Sequence, residues 1–559
     1  MNLSVKFKEY LNDEIISVTI PDYIYNNLNP LMELRYYQKE AIAVLIYYLE
    51  KYKQRQNPSQ LLFRMATGSG KTLVMAASML YLYKKGYRDF IFFVNNTNII
   101  EKTKDNFLES KTAKFLFKER VFIDGIEVRV RPVENFEESN TSDINVWFTT
   151  VQGLHARLNE AKENSFTIED IKDRKIVLIS DEAHHINALT KLKANGMAEN
   201  LFSEDVTSFK GLSKEEADDL KTWEGSVNKI FRQNDQNIML EFTATVELSN
   251  ENIRKKYEDK IIFNYDLAQF RLDGFSKNIE ILSGDMPPID RAMTAIILSQ
   301  YRMKIAEHKG IKIKPVILFK SKTIKESEDF YDEFHNSLKD ISINDLNTLK
   351  ERNYNNVLNI AFSFFSTQGI TFENLILELQ ADFEKNKTVV VNSKSESEEK
   401  QRLLNTLEDA NNQIRAVFAV DKLNEGWDVL NLFDIVRLYE TRDTKASKPG
   451  SYTIAEAQLI GRGARYCPFV WGNHDKFKRK FDGLDNEMSI LEQLHYHSKS
   501  DSKYISELKK ALVESGIAPD ERQKFTIKIK DSFKETDLWK HGLVFTNDRM
   551  ENDFSGNVS

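Results

Sequence analysis

A chain of 559 residues with 78 basic and 85 acidic side chains carries a net charge of −7. That excludes a histone-like binder held to nucleic acid by net charge alone, while leaving room for a local basic channel. Hydrophobic residues at 41% and charged residues at 29% suit a soluble globular protein of about three or four domains. The single cysteine, Cys467, excludes an internal disulfide and a cysteine-based zinc cluster. The N-terminus lacks the apolar core of a secretory signal, and no apolar run approaches the roughly 18 residues of a membrane span. A cytoplasmic protein without membrane contact is expected.

Taken in chain order, short runs rich in β-branched and aromatic residues recur between longer charged, helix-compatible stretches. They are Leu61–Phe63, Phe90–Val94, Val146–Thr149, Ile176–Ile179, Ile238–Phe242, Val316–Phe319, Val417–Val420 and Ile435–Tyr439. Continuous apolar runs of this length suit strands buried on both faces, and their alternation with helices predicts doubly wound α/β domains with parallel sheets. Residues 1–265 and 266–470 are expected to form two such domains, with Asp266–Ser276 crossing between them. Two polar stretches, 203–235 and 337–412, read as insertions or helical excursions. Residues 471–559 read as a helical and polar extension, with helix over Met488–Gly516.

The string Ala66-Thr67-Gly68-Ser69-Gly70-Lys71-Thr72 follows one apolar run and precedes a helix-compatible stretch, the context that makes a glycine-rich string a phosphate-binding loop. Gly68 and Gly70 let the backbone curl so that successive N–H groups face a phosphate, and the next helix adds its N-terminal dipole. Lys71 is expected on the β- and γ-phosphates and Thr72 on Mg²⁺. Met65 stands where the general pattern has Gly or Ala. Asp181-Glu182-Ala183-His184 ends the run Ile176–Ser180, so Asp181 is placed to hold Mg²⁺ and Glu182 to orient and deprotonate a water. His184 is read as a link to the second domain. In Gln458-Leu459-Ile460-Gly461-Arg462-Gly463-Ala464-Arg465, two arginines three apart share a face if the string is helical. Their guanidinium groups suit phosphate oxygens. In Leu423–Val429, Gly426 permits close backbone approach and Asp428 can accept a hydrogen bond from a ribose.

These strings, in this order, resemble superfamily 2 helicases and translocases. Arg35-Tyr36-Tyr37-Gln38 resembles the adenine-reading Q motif, with Gln38 as reader. Thr67–Thr72 resembles motif I, Asp181–His184 motif II, Thr243-Ala244-Thr245 the coupling motif III, Asn424–Val429 motif V and Gln458–Arg465 motif VI. Longer strings resemble the Res subunit of type III restriction–modification enzymes from Leu34 to Ile517: 93–103 (FVNNTNIIEKT), 148–155 (FTTVQGLH), 181–187 (DEAHHIN), 265–275 (YDLAQFRLDGF) and 423–429 (LNEGWDV). The resemblance implies two tandem RecA-like domains of the P-loop NTPase class that clamp MgATP between Lys71, Thr72, Asp181 and Glu182 on one side and Arg462 and Arg465 on the other. It also implies movement on double-stranded DNA and a modification methyltransferase (Mod) subunit as partner. Asn95, Thr149 and Thr150 are candidates for DNA phosphate contacts, although short polar residues after strands also cap helices. The family continues into a nuclease domain with a PD…(D/E)xK signature; Pro519-Asp520 occurs here, but no later Asp or Glu has a lysine two positions on, so an endonuclease domain is expected to be absent. A nuclease-independent helicase on DNA or RNA, and an ATP-gated clamp without turnover, are the competing readings.

Overall fold

The computed structural model describes residues 2–94, 97–112, 114–159, 169–181, 225–244, 246, 251–352, 355–392, 398–409, 411–420, 429–440, 444–445, 448–483, 486–518 and 536–541. The chain divides into a body, Met1–Ala518, and a segment, Pro519–Ser559, of which the short helix Asp537–His541 is described. The body contains seventeen described strands. The first nine are Ser59–Met65 (β1), Asp89–Val94 (β2), Val121–Ile123 (β3), Ile126–Val128 (β4), Val130–Pro132 (β5), Ile144–Thr150 (β6), Ile176–Asp181 (β7), Ile238–Thr243 (β8) and Ile261–Tyr265 (β9). The remainder are Asn278–Gly284 (β10), Val316–Lys320 (β11), Thr388–Val391 (β12), Ala416–Ala419 (β13), Leu432–Arg437 (β14), Thr444–Lys445 (β15), Lys448–Pro449 (β16) and Gln493–Lys499 (β17).

One parallel sheet runs β5-β6-β2-β7-β8-β1-β9. A second runs β10-β17-β14-β11-β13-β12, also parallel throughout. The apolar runs are strands because each feeds two cores at once. Phe90, Phe92 and Val94 of β2 enter one cluster and Ile91 and Phe93 the other. Ile317 and Phe319 of β11 face one side, and Val316 and Leu318 the other. Burying each such side chain stabilises by about 1.5–3 kcal/mol. The chain therefore forms two tandem doubly wound α/β lobes, the RecA-like arrangement. Among the described residues no helix is long and apolar enough to cross a membrane.

Between β9 and β10 the chain runs through a short helix. Asp266 caps the helix Leu267–Leu272 by accepting from the Gln269 N–H at 3.0 Å, and Leu267 packs against a core of each lobe. Asp273 accepts from Tyr36, Tyr265 and, at 2.9 Å, Gln269. The Arg35 guanidinium lies between the Phe275 and Phe477 rings, at 4.8 and 4.9 Å. These contacts tie the crossing to the chain just ahead of Gln38.

The second sheet extends past the expected boundary at 470. Residues 488–516, expected as helix, hold a short 3-10 turn, the strand β17 and only then the helix Ser502–Glu514. The window 337–412 does hold helices, Ile343–Arg352, Asn356–Thr367 and Phe372–Asp382, but it also supplies the edge strand β12. β17 escaped the apolar-run reading because the polar residues His495, His497 and Ser498 interrupt its buried positions. His495 and His497 flank Asp434 of β14, with His497 Nε2 3.0 Å from a carboxylate oxygen. Arg302 donates to the other oxygen at 2.7 Å. All four are fully or almost fully buried. The grouping of Asp434, His495 and His497 has the spacing of a metal site, yet the Arg302 guanidinium already neutralises the carboxylate that a cation would need.

This network makes stability acid-sensitive. Burial pushes His495 down to about 4, against the pull of Asp434. Burial alone would raise Asp434, but Arg302 and the two imidazoles outweigh it and hold the carboxyl well below its usual range. A depressed imidazole contributes stability that is complete above the unfolded value near 6.5 and is lost as pH falls towards 4. Denaturant unfolding is expected to show stability declining from pH 7 to 4. In His495→Gln the decline should be shallower by up to about 1.4 kcal/mol per pH unit. Parallel declines in the two proteins would show that His495 does not titrate as described.

Candidate functional site

β1 ends at Met65, whose side chain is fully buried, and the chain turns through Gly68 at φ +82° and Gly70 at φ +76°, where β-carbon-bearing residues are strained. Gly70 is the N-cap of the helix Lys71–Lys84 and has no side chain to offer it. The Tyr37 hydroxyl and Gln38 Nε2 donate to the Ser69 carbonyl at 3.0 and 2.8 Å, and Gln38 also reaches the Gly70 carbonyl at 3.4 Å. These peptides are trans, so drawing both carbonyls towards Gln38 turns the Gly70 and Lys71 N–H groups to the opposite side. The loop thus presents backbone donors at a helix N-terminus, the arrangement that takes a phosphate. A β-carbon on Gly70 would stand 2.4 Å from Gln38 Nε2, so the loop and its brace fit only with glycine there.

Gln38 is expected to read adenine. Its amide oxygen accepts from the Arg35 N–H at 2.8 Å and its nitrogen braces the loop, so both ends are engaged with protein. The Tyr37 ring stacks on Tyr265 at 4.0 Å. Tyr37 therefore braces the loop beside Gln38, a role the motif alone does not assign to it. Its signal was the aromatic immediately before the glutamine.

The neighbouring strands complete this sheet edge. β8 separates β1 from β7. Register places Arg64 beside Thr243 and Asp181 beside Phe242. Asp181, Thr243 and the start of the loop therefore stand at the carboxyl ends of three adjacent parallel strands, where ligands bind in such sheets. Lys71 is buried, and Thr67 and Thr72 are half-buried. Gly68 and Gly70 shape the turn, Lys71 is the first residue of the helix that follows it, and Thr72 is the second. Glu182, His184, Thr245, Gly426, Asp428 and Asn95 lie outside the described residues. Thr150, at the end of β6, accepts from the Gly153 N–H at 2.9 Å, and Thr149 donates to the Thr150 carbonyl at 3.1 Å. The Thr150 hydroxyl thus caps the helix Val151–Asn159.

The second lobe contributes the helix Ser451–Gly463. Glu456 anchors it, accepting from Arg437 at 2.8 Å and from Tyr439 and Tyr504 at 2.6 Å. A β-carbon on Gly463 would lie 3.0–3.3 Å from Leu432, Leu494 and Ile435, so glycine lets the helix lie close on the sheet. Gln458 is exposed and Arg462, in the last turn, is half-buried. The helix stops at Gly463, so the expected sharing of one helical face by Arg462 and Arg465 is corrected. Arg465 lies beyond the end, in an antiparallel bridge with Ser276 of the crossing. From there its side chain reaches the phosphate loop. A β-carbon built on Gly68 would lie 3.4–3.5 Å from Arg465 Nε, Cδ and Cγ. A residue of the second lobe thus lies against the glycine loop of the first.

A sequence model described as "Type III restriction enzyme, res subunit" matches residues 31–248, and one described as "HI_1054_N: N-terminal region" matches 452–521. A Haemophilus influenzae protein named "Probable type III restriction-modification enzyme HindVIP Res subunit" is 36% identical over 465 residues, covering 77% of this chain and 88% of the relative. A second H. influenzae protein, named only as uncharacterized, is 39% identical over 105 residues, 18% of this chain and 23% of that one. Similar solved structures include S. cerevisiae Dbp5 bound to RNA and ADP BeF3, at TM-score 0.42 and 12% identity over 87% of this chain and 88% of that one. The ATP-dependent Type ISP restriction-modification enzyme LlaBIII bound to DNA gives 0.40 and 14% over 87% and 33%.

Proposed function

Because the chain belongs to the Res-subunit family of type III restriction enzymes, we propose that it is the ATP-driven motor of such a system, coupling MgATP hydrolysis to movement on double-stranded DNA with a modification methyltransferase subunit as partner. The observation that carries this reading is the Arg465 side chain lying on Gly68 of the phosphate loop. A residue of one lobe thereby stands at the loop of the other, and a triphosphate held there is gripped from both.

In this reading the Gly70 and Lys71 N–H groups and the Lys71 ammonium hold the phosphates. Arg465 and Arg462 stabilise charge that develops on them as the γ-phosphoryl transfers. Thr72 and Asp181 would hold Mg²⁺, which would supply neutralisation of the phosphate charge. Glu182 orients the attacking water and takes its proton. Gln38 contacts adenine, and because it also braces the loop, base recognition and loop geometry share one side chain. Gly426 and Asp428 border the ribose, and His184, Thr243 and Thr245 carry the change to the second lobe. Gln458 lies on the helix that bears Arg462. Loss of the γ-phosphate removes contacts that favour the closed lobes, which is how hydrolysis drives motion. DNA is held mainly through its phosphates, as a motor that must not read sequence requires, with Asn95, Thr149 and Thr150 the candidates.

The test is phosphate release by the full chain with its methyltransferase partner, in the presence of duplex DNA, single-stranded DNA or RNA. Duplex DNA is expected to give the largest stimulation, and Glu182→Gln to abolish turnover. Equal stimulation by RNA would overturn the DNA assignment, and equal rates with Glu182→Gln would overturn its role as base.

A further inference from the structure

The lysine that closes the crossing between the lobes takes no part in the chemistry proposed so far. Lys277 is fully buried. Its ammonium lies 2.6 Å from the Leu430 carbonyl oxygen, 2.9 Å from that of Leu432, 3.0 Å from that of Gly463 and 2.6 Å from that of Arg465. Its backbone N–H donates to the Ala464 carbonyl at 2.6 Å, and the Phe433 ring lies 4.6 Å from the ammonium. Two of the four carbonyls, those of Leu430 and Leu432, stand just before and at the start of β14. The other two belong to the last residue of the helix Ser451–Gly463 and to Arg465 itself. Three ammonium protons are thus divided among four oxygens that join the sheet, the helix end and the arginine.

A folded chain does not place a lone cation at full burial without compensation. Burial, aided by Arg302 and only partly offset by Cys467, Glu408 and Asp434, pushes Lys277 down to about 7, and carbonyl oxygens around an ammonium favour its charged form. The C-terminal carbonyls of a helix lack intrahelical partners and carry its negative pole, so a buried ammonium there both satisfies oxygens and complements the dipole. The residue before it, Ser276, bridges Arg465, and the Ser276 carbonyl accepts from Arg479, whose other nitrogen donates to the Arg271 carbonyl at 2.9 Å. The crossing is therefore fastened on both sides of the point where Arg465 leaves the helix.

We propose that Lys277 is a positioning residue for Arg465: it fixes the backbone beyond the helix end so that the guanidinium is held over the phosphate loop. This rests on the proposed role of Arg465. Lys277 touches no phosphate. It acts by holding two carbonyls whose displacement would move the Arg465 side chain, and a displacement of about 1 Å costs on the order of 10²-fold in rate at a charge-stabilising group.

The test is a double-mutant cycle on DNA-stimulated phosphate release, using Lys277→Met, Arg465→Ala and the two combined. Lys277→Met is expected to lower kcat by about 10²-fold with KM for ATP within about 3-fold. The double variant should be no slower than Arg465→Ala, because a residue acting through Arg465 has nothing left to act on. Lys277→Gln, which keeps two donors, should recover part of the loss; if Lys277→Met does not fold, the cycle is read on Lys277→Gln. Multiplying losses, or a loss confined to thermal stability, would overturn the positioning role. If Arg465→Ala itself leaves kcat unchanged, the reading of the site fails instead.

Discussion

Replacing Lys71 by alanine is expected to lower ATP turnover by about 10³-fold or more while leaving the fold intact. The stability half of this expectation follows from where the lysine stands. It is the first residue of the helix Lys71–Lys84, where the macrodipole disfavours a cation by about 0.3–1 kcal/mol, and it is 8% exposed. Alanine is the better helix former. Neither the helix dipole nor helix propensity favours lysine at this position, so the proposed phosphate role is what calls for it. Thermal unfolding of Lys71→Ala should therefore sit at or slightly above wild type, and phosphate release should be close to background. A large fall in the unfolding midpoint with the fall in rate would assign Lys71 to packing.

Replacing Arg465 by lysine is expected to be nearly as harmful as replacing it by alanine, with kcat falling by about 10³–10⁵-fold. The planar fork of arginine can hold two phosphate oxygens at once, whereas an ammonium offers a point charge on a shorter reach. Because Arg465 meets the loop through its stem as well as its head, with Cγ, Cδ and Nε all within 3.5 Å of the β-carbon position of Gly68, lysine restores part of the packing and none of the bidentate geometry. Steady-state kinetics should show kcat falling with KM for ATP changed only a few-fold, the pattern of an interaction made in the transition state. A rise in KM at constant kcat would make Arg465 a ground-state binding residue.

What could be read from the chain was what depends on local pattern. Runs such as Phe90–Val94 and Ile176–Ile179 are apolar on both faces because helices cover both faces of a parallel sheet, and each became a central strand. The phosphate loop was legible because its glycines, lysine and threonine are adjacent in sequence. β17 was not, since Gln493–Lys499 carries His495, His497 and Ser498 at buried positions. The two histidines are tolerated because Asp434 and Arg302 meet them in three dimensions. The end of the arginine-bearing helix at Gly463 was also hidden, because Arg465 leaves the helix to pair with Ser276, a residue distant in sequence. Nor does a single lysine announce that four carbonyls surround it, and Lys277 has no sequence signal at all.

In the proposed mechanism a guanidinium from one lobe stabilises the transferring phosphoryl group held by the other. The most direct measurement is the affinity of wild type and Arg465→Ala for ADP alone and for ADP with aluminium fluoride, a mimic of that group in transfer. The variant is expected to bind ADP within a few-fold of wild type and the mimic at least about 10²-fold more weakly. Equal loss for both ligands, or no loss for either, would contradict that mechanism.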